Sequence, residues 1–148
     1  MTQPPKLLDT GFLVALVNAA DPAHAACVET WSTARGPFVT TEGVLTECAH
    51  LLRRSPGAFE NAWNIVRGVG ALVMPCTRPR MERALELMAR YADVPMDFVD
   101  ALLVALAEEL ETPHVLTLDV RGFSAYRLDG RARFRLSPAP HAWKKGAR

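Results

Sequence analysis

Lys6-Leu7-Leu8-Asp9-Thr10-Gly11-Phe12-Leu13-Val14-Ala15-Leu16-Val17 decides the fold class of this chain. Lys6 to Asp9 reads as a short buried strand, with two leucines side by side instead of alternating with polar residues. Thr10-Gly11 turns it into the apolar segment Phe12 to Val17. The same alternation of short apolar strand and helix continues down the chain. Asp21-Pro22 predicts a helix start, with Asp as N-cap and Pro at the first helical position. That helix runs to about Ala34 and stops at Gly36-Pro37. Phe38 to Thr40 is a second strand. Thr41 caps a helix from Glu42 to Arg54, with Val44, Leu45, Cys48, Leu51 and Leu52 as its apolar stripe. Ser55-Pro56 repeats the cap signal for a helix to about Val69. Ala71 to Met74 is a third strand, and a further helix begins at Thr77 to Pro79. Asp97 caps a helix through Leu110. Val115 to Asp119 is a fourth strand, followed by a short helical piece near Phe123, and Phe134 to Leu136 is a candidate fifth. Short strands too apolar to alternate, separated by helices, imply an α/β fold whose mainly parallel sheet is covered on both faces.

The chain has 148 residues, which fits one domain with a sizeable core. A formal net charge of +1 says nothing about a polyanionic partner. The distribution says more. Arg121, Arg127, Arg131, Arg133, Arg135, Lys144, Lys145 and Arg148 face a single acid, Asp129, in the last stretch. That basic segment reads either as a solvated face or as a contact for phosphate. Residues 137 to 148 are expected to form a basic, mobile tail behind a domain spanning residues 1 to 136. Cys27, Cys48 and Cys76 lack metal spacing and read as buried free thiols of a reducing cytoplasm. The four histidines show no zinc spacing. No signal peptide and no membrane span is read from the sequence.

Four acids stand in apolar surroundings: Asp9, Glu47, Asp100 and Asp119. An unpaired buried carboxylate is costly, so it protonates, pairs or binds a cation. Asp9 and Asp119 end strands that point to one sheet edge, the edge where ligands bind in open parallel sheets. Each can also cap the helix that follows. Asp97 is explained as an N-cap. Asp100, as third residue of that helix, is explained only in part by the helix dipole. Periodicity does not choose between Glu42 and Glu47. Glu42 lies in the first turn, where an acid is expected, so the mid-helix Glu47 is favoured. No lysine or arginine partners these acids in a matching motif, and an oxygen-only donor set suits hard ions such as Mg²⁺ or Mn²⁺. Thr10 and Thr117 could orient the carboxylates, or serve as ordinary turn and strand residues. A doubly wound phosphatase would need a second aspartate where Gly11 stands. A dinucleotide site would need a glycine-rich turn after the first strand.

Leu7 to Leu13, Val99 to Ala107 and Val115 to Asp119 resemble the first-, third- and fourth-acid motifs of PIN-domain nucleases. Thr46-Glu47-Cys48-Ala49-His50-Leu51-Leu52 resembles the looser second-acid helix. In size and motif style the chain is similar to VapC-type toxins of toxin–antitoxin pairs. The resemblance implies a three-layer α/β/α domain with a short-stranded central sheet, a homodimer, and an endoribonuclease dependent on Mg²⁺ or Mn²⁺. It implies Asp9, Glu47, Asp100 and Asp119 as catalytic, metal-binding acids, with Asp97 auxiliary and Arg121 on RNA phosphate. It also implies a neutralising antitoxin partner. Two alternatives share the fold: a PIN nuclease of RNA processing or DNA repair, and a non-catalytic RNA-binding domain.

Overall fold

The structure, a computed structural model, describes residues 3–144. Its core is a five-stranded sheet of β1 (Lys6–Leu8), β2 (Phe38–Thr41), β3 (Leu72–Met74), β4 (His114–Leu116) and an edge strand, Arg135–Ser137. The spatial order is β3, β2, β1, β4, then the edge strand, and all four pairings are parallel. All five strands expected from the sequence are present. Consecutive residues Leu7 and Leu8, and likewise Val115 and Leu116, are fully buried. Successive strand residues point to opposite faces, so both faces of the sheet are covered.

Among the described residues, seven α-helices flank it: α1 (Thr10–Val17), α2 (His24–Thr33), α3 (Glu42–Leu51), α4 (Ala58–Gly68), α5 (Arg78–Arg90), α6 (Phe98–Leu110) and α7 (Val120–Ala125). Helix α6 is the most deeply set. Residues Ala101 to Ala107 are all buried, so this helix is apolar all round. Its polar end is clamped to α5: the Arg83 guanidinium reaches both carboxylate oxygens of Glu108 at 2.9 and 3.0 Å, and Arg80 reaches Glu109 at 2.6 Å.

Two expected helix starts are corrected. Asp21-Pro22 and Ser55-Pro56 each form a turn ahead of the helix instead of its first residues. The carbonyls of Asp21 and Ser55 accept the N–H groups of His24 and Ala58, both at 3.0 Å. Asp or Ser followed by Pro is as much a turn signature as a cap. The helices begin at His24 and Ala58 instead, α4 behind Gly57 at φ 78°.

The fourth strand ends at Leu116, three residues before Asp119, and Cys76 is only half-buried. The expected tail boundary at residue 136 falls inside the edge strand. Ser137 completes it, Pro138 is buried, and Trp143 packs against the core. Lys145 and Arg148 lie outside the described residues.

A two-stranded ribbon was not foreseen. β5 (Arg127–Leu128) pairs antiparallel with β6 (Ala132–Arg133), which makes the sheet's edge strand β7. Asp129 and Gly130 between them both take positive φ, 51° and 69°, as an Asp-Gly hairpin turn requires.

Candidate functional site

Because β1 and β4 are parallel neighbours, the loops leaving them open at the same edge. Asp9 follows β1 and Asp119 caps α7 just beyond β4. Asp97 and Asp100 arrive from the start of α6, and Glu47 from the middle of α3. The acids act on one another electrostatically. Asp9 feels Asp119 and Glu47, and Asp100 feels Asp9, Asp97 and Asp119. All five acids foreseen from the sequence therefore share one field.

Asp9 is the one buried acid of the set. Its Oδ1 accepts the Thr10 N–H at 2.8 Å and its Oδ2 accepts the Thr117 hydroxyl at 2.6 Å. Burial nevertheless outweighs these bonds and raises its pKa to about 6, with Asp119 and Glu47 adding repulsion. Asp100 is half-buried. Burial first, then the charges of Asp9 and Asp97, raise its pKa as well.

Asp97 and Asp100 form a reciprocal capping box. Asp97 Oδ1 accepts the Asp100 N–H at 2.8 Å, and Asp100 Oδ2 accepts the Asp97 N–H at 3.2 Å. Capping thus accounts for more of Asp100 than the helix dipole suggested. Asp119 caps the short helix that follows it, one of the two roles open to it from sequence. Its Oδ1 accepts the Gly122 N–H at 3.0 Å. Capping uses one oxygen and leaves Oδ2 available.

Glu47 is half-buried and Glu42 exposed. Glu42 Oε2 accepts the Cys76 N–H at 3.3 Å, and the charge felt by Asp9 is that of Glu47. Both line a cleft of about 600 Å³ with His50, Phe98, Val99 and Leu102. Arg121 is exposed in the first turn of α7, two residues beyond Asp119.

Three contributors were missed from sequence. Tyr126, fully buried, lies beneath the acids, and its pKa is raised by burial and then by Asp100, Asp119 and Asp97. Cys48 Sγ faces the Thr10 carbonyl, and its thiol is pushed up to about 12 by burial, Asp9 and Glu47. Gly122 is pressed against Asp119 so closely that a Cβ would stand 2.3 Å from Oδ2. Of the three, Cys48 was foreseen only as a buried thiol in the apolar stripe of its helix, and the other two had no sequence signal.

The donor set suits a hard cation. The charges acting on Asp9 and Asp100 are all negative. Among the described residues, Thr10 Oγ1 is one of two buried side-chain polar atoms without a hydrogen-bond partner. Among the same residues, no three acid, histidine or cysteine side chains are already drawn together as an ion's ligands.

The PIN domain family pattern matches residues 6–128. The chain belongs to the PIN-domain family. This PIN domain is 33% identical over 146 residues to Ribonuclease VapC26 of Mycobacterium tuberculosis, covering 89% of the chain and 99% of that relative. The crystal structure of VapC20 from the same organism, described as a sarcin-ricin loop cleaving toxin, matches with a TM-score of 0.70 at 29% identity. That match covers 76% of this PIN domain and 88% of the solved chain. The fold, the matched pattern and both relatives mark it as a VapC-type member.

Proposed function

We propose that this PIN domain is a Mg²⁺- or Mn²⁺-dependent endoribonuclease and the toxin of a toxin–antitoxin pair. The observation that carries the reading is the shared field of five carboxylates, with two of them held protonated more readily than usual and no cation acting on either. Asp9, Glu47, Asp100 and Asp119 would hold the ion, with Asp97 beside them. When bound, such an ion lowers the pKa of a water and offsets charge on a phosphodiester. Thr117 and the Thr10 N–H fix the Asp9 carboxylate, while the capping box fixes Asp100. Arg121, exposed beside Asp119, is suited to an RNA phosphate. The VapC26 and VapC20 likenesses support RNA as the substrate.

An antitoxin partner and a homodimer are part of the same reading. Exposed Met81, Leu85 and Phe98 border an apolar pocket of about 350 Å³ that adjoins the acidic cleft through Phe98. A protein partner seated there would cover the cleft. Free cysteines support a reducing compartment such as the cytoplasm. Among the described residues no helix is long and apolar enough to cross a membrane.

Asp100→Asn is the deciding variant, because an asparagine oxygen still accepts the Asp97 N–H and preserves the cap. Purified parent protein should cleave RNA with Mg²⁺ or Mn²⁺, and this variant should not. Equal cleavage by the two, or cleavage untouched by chelation, refutes the metal assignment. Growth arrest on induced expression, relieved by a co-expressed and co-purifying antitoxin, tests the toxin role.

A further inference from the structure

Lys6, His114 and Arg135 are the first residues of β1, β4 and β7, three neighbouring strands. The register pairs His114 with Arg135 directly. Pairing of Leu7 with Val115 sets Lys6 beside His114. In-register residues of parallel strands point to the same face, at a strand spacing of about 4.8 Å. Three basic side chains therefore form one row across the amino edge of the sheet, opposite the edge that carries the acids. Lys6 and Arg135 carry the row's two permanent charges, one on either side of the His114 imidazole.

Nothing of opposite sign is found there among the described residues. The row lines a cavity of about 350 Å³ together with Gln3, Pro4, Thr112 and Pro113. Lys6 and His114 also line a neighbouring cavity of about 190 Å³, and neither cavity has a carboxylate in its wall. None of the ion pairs formed among the described residues includes Lys6 or Arg135. Lys6 Nζ donates to the Arg35 carbonyl, and Arg135 is exposed.

The row is also held in place. Thr112 Oγ1 donates to the Pro5 carbonyl at 2.6 Å and fixes the segment before Lys6. His114 Nε2 lies 2.8 Å from Ser137 Oγ, which fixes the ring. Burial, then the charges of Lys6 and Arg135, lower the His114 pKa, as an uncompensated positive field would.

We infer that Lys6, His114 and Arg135 form a binding site for an oxyanion of the phosphate class, separate from the acidic cleft. Two cations on flexible stems and a fixed imidazole suit a multiply charged oxyanion, and the cavity has room for a group larger than phosphate alone. The anion is carried either by a free small phosphate compound or by the backbone of a bound RNA.

Isothermal titration calorimetry of the full chain with inorganic phosphate and pyrophosphate at low ionic strength tests the site without any cleavage assay. The parent should bind at millimolar concentration or below. Lys6→Ala and Arg135→Ala should each weaken binding about tenfold or more, and Asp100→Asn should leave it unchanged. No binding of either anion, or binding by both alanine variants as tight as by the parent, overturns the site. RNA cleavage by the same alanine variants then identifies the carrier. An unchanged KM with lost phosphate binding supports a free small anion, and a raised KM supports an RNA backbone phosphate.

Discussion

The hydroxyl of Thr117 donates to Oδ2 of Asp9 at 2.6 Å while it accepts the N–H of Asp119 at 2.9 Å. One side chain thus ties the acid after β1 to the acid after β4. Thr117→Val keeps the shape but leaves the Asp119 N–H and Asp9 Oδ2 without their partner. Loss of about 1–3 kcal/mol is expected on denaturant unfolding, together with weaker cleavage. Thr117→Ser should retain most of both. Equal behaviour of the valine and serine variants would show that the bond has no role.

The pKa of Asp9, about 6 against an ordinary 3.8, makes a prediction with a definite sign. A carboxyl whose folded pKa is raised stabilises the fold while protonated. That contribution is complete below about pH 4 and is lost as pH rises through 6. A shift of this size is on the order of 3 kcal/mol. Asp100, raised too, extends the loss to higher pH. His114 works in the opposite sense, since its lowered pKa costs stability as pH falls. The comparison is therefore made against Asp9→Asn, where the His114 contribution cancels. Relative to that variant, the metal-stripped parent should lose melting temperature between about pH 4 and 6. Millimolar Mn²⁺ should restore it at the upper end. A parent that gains stability over that range would contradict the buried-acid assignment.

Glu47 and Glu42 separate cleanly by substitution. The charge of Glu47 reaches Asp9, whereas exposed Glu42 holds the Cys76 N–H. Glu47→Gln should reduce RNA cleavage by about 10–100-fold or more and lower Mn²⁺ affinity, with little change in unfolding free energy. Glu42→Gln should leave cleavage within a few-fold of the parent. The reverse order in a cleavage assay would move the second acid to Glu42.

The strands were legible because Leu7-Leu8, Phe38-Val39 and Val115-Leu116 are apolar without alternation, which a sheet covered on both faces demands. The caps at Thr41 and Asp97 were legible because each side chain reaches a nearby backbone N–H. Asp21-Pro22 and Ser55-Pro56 misled because turn and cap chemistry use the same residues. The acids were legible as charges in apolar surroundings, a local property. Tyr126 was not, because its nearness to Asp119 and Asp100 is set by tertiary packing and has no local sequence signal. Nor was the basic row, whose members Lys6, His114 and Arg135 meet only through strand register.

Gly122 sets how closely α7 approaches its own cap. A Cβ at this position would lie 2.3 Å from Asp119 Oδ2 and 2.8 Å from the Tyr126 hydroxyl. The clash falls on the Asp119 oxygen that capping leaves free. Gly122→Ala therefore has to push the Asp119 carboxylate aside or shift the helix start. Alanine is otherwise the better helix former by about 1 kcal/mol, so propensity alone predicts a gain in stability. Cleavage should fall by about 10–100-fold, the loss typical of a displaced support for a metal-binding group, and the Mn²⁺-induced rise in melting temperature should shrink. Far-ultraviolet circular dichroism should stay that of the parent. An alanine variant that is more stable and fully active would show that the carboxylate of Asp119 yields without consequence, and would remove it from the site.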